Sequence, residues 1–253
     1  MSRSPLRIPI PKTTAELLSL AATIHSKHVA DGAATLIPPH LGAQLTQLYT
    51  EANQLHNQQQ QLYRDTEKLT QQRNLVLGID HTQDSRTPNT VIFYIASVRN
   101  YLLGVYAGQE KKLGNWGFTV NAPYGKPSIP LPLKPQQITE LGNKIWQKHL
   151  ADGAASPIPP ILLNGFEPLL NQATTLVTQS AQMLKDAESA TQTRNKLLGL
   201  GKGKTRRTEG TLLHVVVCVR NILLGYFRGQ EKSLGLWGFT VITSRHTPAQ
   251  PNP

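Results

Sequence analysis

Only one cysteine stands in the 253 residues, Cys218, so no disulfide framework can form within the chain. It lies inside the apolar run 212–219, which predicts a buried thiol rather than a nucleophile. Acidic residues are also scarce. Fifteen Asp and Glu stand against 26 Lys and Arg, and the net charge is +11. The excess is +4 up to Ser128 and +7 from Ile129 onward. A basic balance favours polyanions, nucleic acid included, but here the bases are scattered and only one run is dense. No stretch approaches 18 consecutive apolar residues, which excludes a spanning helix. Residues 1–12 are basic and proline-rich, with no apolar core of the kind that marks a leader. The expected compartment is the cytoplasm by default.

What the chain does have is a repeat. Gly108-Gln-Glu-Lys-Lys-Leu-Gly-Asn-Trp-Gly-Phe-Thr-Val120 returns as Gly229-Gln-Glu-Lys-Ser-Leu-Gly-Leu-Trp-Gly-Phe-Thr-Val241, 121 residues later. The same offset carries Lys27-His28 onto Lys148-His149, Arg73-Asn74 onto Arg194-Asn195, and Val98-Arg99-Asn100 onto Val219-Arg220-Asn221. From Ile8 to Val120 the match has no gap, and about two-fifths of the positions are identical. The expected organisation is two homologous all-α up-and-down bundles in tandem, each closing its own core. They would cover 1–121 and 129–242, with a linker at 122–128 and a tail at 243–253.

Within each copy the pattern reads as an extended lead-in and three helices. Ile8-Pro9-Ile10-Pro11 and Ile129-Pro130-Leu131-Pro132 forbid regular helix. The first helix starts at a capping box of Thr13 and Glu16, or at Pro135 in the second copy. It carries Leu17, Leu20, Ile24 and His28 on one face, repeated as Ile138, Leu141, Ile145 and His149, and stops at Gly32 and Gly153. In the second helix Leu41, Leu48, Leu55, Leu62, Leu69 and Val76 are spaced by seven, beside Leu45, Ala52, Gln59, Thr66 and Arg73. Copy two offers Leu162, Leu169, Leu176, Met183, Ala190 and Leu197, beside Phe166, Ala173, Ser180, Ala187 and Arg194. This is an antiparallel-bundle or coiled-coil seam that turns polar towards its end, and Gln58–Gln61 is the expected place for any bend. Gly78 and Gly199 end it. The third helix starts near Pro88 and Glu209, is apolar nearly all round, and stops at Gly108 and Gly229. Phe118-Thr119-Val120 should then lie beside the Ile-Pro lead-in of the same bundle.

The run from Tyr101 to Phe118, with Arg73-Asn74 and the proline loop after the first helix, resembles a helical domain of uncharacterised bacterial proteins. That domain often precedes a fibronectin type III module. The resemblance implies a helical bundle and no established activity. This chain departs from it in lacking a fibronectin module and in carrying an eleven-residue loop after each second helix.

Candidate chemistry is thin. Gly199–Thr205 contains Gly-Lys-Thr, but Leu198 stands where a phosphate loop needs its first glycine, and a helix precedes it. His25 and His28 have the His-x-x-His spacing of a metal clasp, yet Trp146 replaces His25 in copy two and no acidic or cysteine cluster accompanies them. His28 and His149 are therefore expected as hydrogen-bonded core residues. Arg73 and Arg194 need buried partners, and a link to Glu110 and Glu231, or to a backbone carbonyl, is expected to close the end of each bundle. Trp116 and Trp237 read as lids on the core. No catalytic, cofactor or metal residue is expected. The loop after the second helix is net −1 in copy one (Asp80, Asp84, Arg86) and net +3 in copy two (Lys202, Lys204, Arg206, Arg207, Glu209). Loops of opposite sign can associate head to tail. The expected function is thus a non-enzymatic structural or interaction protein, self-assembling or binding another protein. The alternative is polyanion or nucleic-acid binding through Lys202–Arg207.

Overall fold

A computed structural model describes residues 6–121, 128–201, 203 and 207–243. Its regular structure is helical apart from a two-residue antiparallel pairing of β1 (Leu6–Arg7) with β2 (Ile242–Thr243) and a single bridge between Asn121 and Ser128. Six α-helices follow in chain order: α1 (Thr14–Asp31), α2 (Pro39–Leu77), α3 (Val91–Val105), α4 (Pro135–Asp152), α5 (Phe166–Leu198) and α6 (Leu212–Tyr226). Seven-residue 3-10 helices, Glu110–Trp116 and Glu231–Trp237, follow α3 and α6.

Local chemistry accounts for most of these boundaries. Thr13 and Glu16 form the capping box at the start of α1, and Pro135 opens α4. The expected starts of α3 and α6 fall a few residues early. Their caps are Thr90 and Thr211, whose hydroxyls accept from the N–H of Phe93 and His214. Each threonine packs against the glycine that ends the preceding long helix. A Cβ on Gly78 would lie 2.5 Å from Thr90 Oγ1, and one on Gly199 2.7 Å from Thr211 Oγ1. Both glycines also have positive φ, so no other residue fits there easily.

The two long helices are not equivalent. α2 is helical from Pro39 through Gln58–Gln61 to Leu77. Its counterpart starts late: Pro160–Leu163 forms a 3-10 turn, Gly165 takes φ +81, and α5 begins only at Phe166. The reason lies in one position. Gly42 lets the His28 ring rest against α2, where a Cβ would come within 2.3 Å of Nε2. Copy two carries Leu163 there, and a helix could not pass His149 in the same way.

Of the two lines of the expected seam, one is buried more deeply than the other. The leucines at 48, 55, 62 and 69 are only half-buried. The most buried line is the other one: Leu45, Ala52, Gln59 and Thr66 in α2, and Phe166, Ala173, Ser180, Ala187 and Arg194 in α5. Polar side chains thus occupy core positions in the middle of both helices.

The largest difference from the sequence reading concerns the division of the chain. The compact units are not 1–121 and 129–242. Unit 1 consists of residues 1–61 and 187–253, and unit 2 of residues 62–186. In unit 1, Leu17, Ile24, Ile37 and Leu45 share a core with Val216, Val219, Leu223, Leu234 and Trp237. In unit 2, Leu77, Ile95, Leu102 and Trp116 share one with Ile138, Ile145, Phe166 and Ala173. Each core therefore joins the first half of one copy to the second half of the other. A periodicity says which face of a helix is apolar, but two copies with the same faces can cover themselves or each other. Of the expected linker 122–128 and tail 243–253, residues 122–127 and 244–253 lie outside the described residues, while Ser128 and Thr243 each pair with another strand segment.

Candidate functional site

Two features recur at equivalent positions in both units: a set of polar ties and an open groove.

The ties use the side chains that the two copies hold in common. Lys27 Nζ lies 2.6 Å from Asp31 Oδ1 and 5.5 Å from the Trp237 ring centre. Lys148 repeats this, 2.6 Å from Asp152 Oδ1 and 5.6 Å from the Trp116 ring. Both tryptophans are 2% exposed, so they are core residues with a lysine capping one ring face. The Arg-Asn pairs share one geometry, in which Nε and Nη2 donate to Oδ1 of the following asparagine. Arg73 does so to Asn74 at 3.1 and 2.9 Å, and Arg99 to Asn100 at 3.2 and 3.1 Å. The fork fixes the guanidinium and leaves Nη1 to reach across. Arg73 Nη1 donates to Ser180 Oγ at 3.3 Å, Arg99 Nη1 to the Ile129 carbonyl at 3.1 Å, and Arg194 Nη1 to Gln59 Oε1 beside His56. Arg73 bonds the position in copy two that corresponds to Gln59, and Arg194 bonds Gln59 itself. Every one of these reaches runs from one copy to the other.

Among the described residues the expected Arg73–Glu110 link does not form. Glu110 and Glu231 each accept from the glycine N–H two residues before them, at 3.0 and 2.9 Å. They brace the turn after the third helix instead. No carboxylate among the described residues pairs with Arg73, and burial pulls its guanidinium below the usual arginine range.

The grooves follow from the alternating prolines. Asn121 and Ser128 exchange both backbone hydrogen bonds, at 2.9 and 2.8 Å. The next pairs of that ladder would set Thr119 against Pro130, and Gly117 against Pro132. Proline has no N–H, and the ladder ends. A groove of 320 Å³ opens there, floored by Gln137, Glu140, Leu141 and Lys144 of α4. In unit 1, the pairing of Arg7 with Ile242 holds the equivalent place, and Pro9 and Pro11 face Thr240 and Gly238. That groove measures 580 Å³ and is floored by Glu16, Ser19, Leu20 and Thr23. Its larger volume matches the smaller floor, because Thr23 stands where Lys144 lays its stem over Gly117. The glycines at the rim have φ +88 and +84, and a Cβ on either would meet the helix below at 2.9 Å.

Neither groove assembles a nucleophile with a base. The Glu16 carboxylate is turned onto the backbone N–H groups of Lys12 and Thr13, at 3.0 and 3.3 Å, which hold it below the usual carboxylate range. The Thr23 hydroxyl donates to the Ser19 carbonyl. His28 Nδ1 is 2.8 Å from Thr35 Oγ1, and His149 Nδ1 is 2.7 Å from Ser156 Oγ. His25 stacks on Tyr49 with ring centres 5.5 Å apart rather than joining His28. Among the described residues no group of three metal-ligating side chains converges. Cys218 is half-buried, with Sγ 3.5 Å from His214 Nε2. Burial, and secondarily Glu209, pushes its thiol up, away from the reactive thiolate. Of Lys202–Arg207 only Gly203 and Arg207 are among the described residues.

Sequence reasoning missed Gln59, His56 and Ser180 as arginine partners, and it missed the grooves. The signal for the grooves was present, since proline at every second residue leaves one side of an extended segment without donors. Comparison with protein-family models, curated proteins and solved structures returned no match. No helix among the described residues is long and apolar enough to cross a membrane.

Proposed function

We propose that the chain is a non-enzymatic structural or interaction protein, built from a duplicated helical unit, whose natural partner is another copy of that unit. One observation carries this reading: both cores, and the arginine and lysine ties that border them, join one copy to the other. A segment whose apolar face and fixed cations are completed by its own duplicate is built for self-recognition. Inside one chain that recognition closes two units. Between chains it gives self-assembly.

Large side chains left at the surface support association. Leu133 and Ile161 are each 82% exposed, where copy one has Lys12 and His40. The test is light scattering over a range of concentration and salt. Oligomers that grow with concentration at low salt are expected. A monodisperse monomer at high concentration and low salt would refute the reading.

The net charge of +11 favours a second reading, polyanion binding through Lys202–Arg207. It predicts binding to a nucleic-acid duplex that weakens steeply with salt and is lost when Lys202, Lys204, Arg206 and Arg207 are neutralised. Binding insensitive to both would eliminate it.

A further inference from the structure

Resting on the self-assembling reading, we propose that the partner surface is the interior of unit 1: residues 1–61 of one molecule complete residues 187–253 of another. The two units are built from equivalent pieces but connected differently. Unit 2 is one continuous segment, and only residues 122–127 separate its paired Asn121 and Ser128. Its halves are held at high effective concentration by that short connection. Unit 1 is made of the two ends of the chain. Its equivalent junction is the β1–β2 pairing of Arg7 with Ile242, where no short loop joins the strands.

Exchange would reproduce every contact of unit 1. Leu17 and Ile24 would still meet Val219 and Trp237, Lys27 would still cap Trp237, and Arg194 would still reach Gln59. The exchanged and closed forms then differ in chain entropy and in the bend that α2 and α5 must take where they pass from one unit to the other, near residues 61–62 and 186–187, and concentration decides between them. Reciprocal exchange closes a dimer, and serial exchange builds an open chain of molecules. Because the core must open first, the exchanged form is reached slowly, through partial unfolding. Once formed it is held by apolar burial rather than by surface charge.

The test uses the 253-residue chain, incubated concentrated near its urea midpoint and then returned to buffer. Oligomers that persist in high salt and dissociate only in urea are expected. A second protein carries Arg7→Cys and Ile242→Cys, residues in direct register, with Cys218→Ser, the residue copy one has at that position. Oxidised while dilute, it should close within one chain and stay monomeric through the urea cycle, and reduction should restore association. Oxidised after association, it should give covalent multimers on a denaturing gel. Association of the locked monomer equal to the reduced form, or oligomers of unaltered protein that dissolve in salt alone, would overturn exchange while leaving self-assembly standing. A chain that stays monomeric throughout would overturn both. Tagged and untagged unaltered chains give the same decision without any substitution: mixed species should form quickly through the urea cycle and slowly, growing with concentration, in buffer alone.

Discussion

The lysine–tryptophan ties allow the exchange of halves to be read as an energy. Lys27 lies over Trp237, 210 positions away, and not over Trp116 of its own copy. Lys27→Met keeps most of the aliphatic stem and removes the charge. It loses the pair with Asp31, about 0.3–0.5 kcal/mol for a helical pair of this spacing, and the interaction with the ring, about 0.5–1 kcal/mol at a partly exposed site. Trp237→Leu keeps an apolar core residue and removes the aromatic face beneath the lysine. A double-mutant cycle in urea, followed by circular dichroism, should give a Lys27–Trp237 coupling of about 0.5–1 kcal/mol. The Lys27–Trp116 cycle should be additive, and Lys148 should show the reverse preference. The Asp31 contribution cancels within each cycle, so it does not blur the comparison. Coupling of Lys27 to Trp116, with none to Trp237, would mean that each copy folds on itself and would refute the cross-copy packing.

Other substitutions test individual pieces. Gly42→Ala should destabilise despite the better helix propensity of alanine, because the new Cβ meets His28 Nε2 at 2.3 Å; urea denaturation should show Gly42→Ala/His28→Ala to be the more stable of the two variants. Thr13→Ala should cost about 1 kcal/mol in the same assay, as loss of a helix cap does. The Glu16 carboxyl is held low in the folded state by the N–H groups of Lys12 and Thr13. Its stabilisation is therefore complete above the unfolded pKa, near 4.3, and disappears as pH falls through the folded value; Glu16→Gln should flatten that part of a stability–pH profile. Cys218 should react slowly with a thiol reagent at pH 8 and quickly after unfolding in urea, since burial raises its thiol.

Much of the secondary structure was legible because it depends on neighbours in sequence. The Thr13–Glu16 box, Pro135 and the stops at Gly78 and Gly199 act within a few residues of themselves. The short caps Thr90 and Thr211 were passed over because Pro88 and Glu209 stood ahead of them as ordinary starts. What could not be read was which copy covers which. Leu17 and Ile138 present the same face, and any apolar surface of the right shape satisfies either. The arginine partners failed for a related reason. A buried guanidinium calls first for a carboxylate, but the asparagine beside it already supplies the fork, and a hydroxyl or amide across the core completes it. The grooves depend on proline at positions that a ladder would have to use, which becomes visible only once the partner strand is known.

The most direct test of the central claim is to cut the chain between the copies. A protease site placed within residues 122–127 leaves every described residue intact. Cleavage should yield two fragments that remain together on size exclusion at the elution volume of the uncut 27.9 kDa chain, with unchanged circular dichroism, and that part only in denaturant, because each holds half of both cores. Fragments that separate in buffer as two folded monomers would contradict the account.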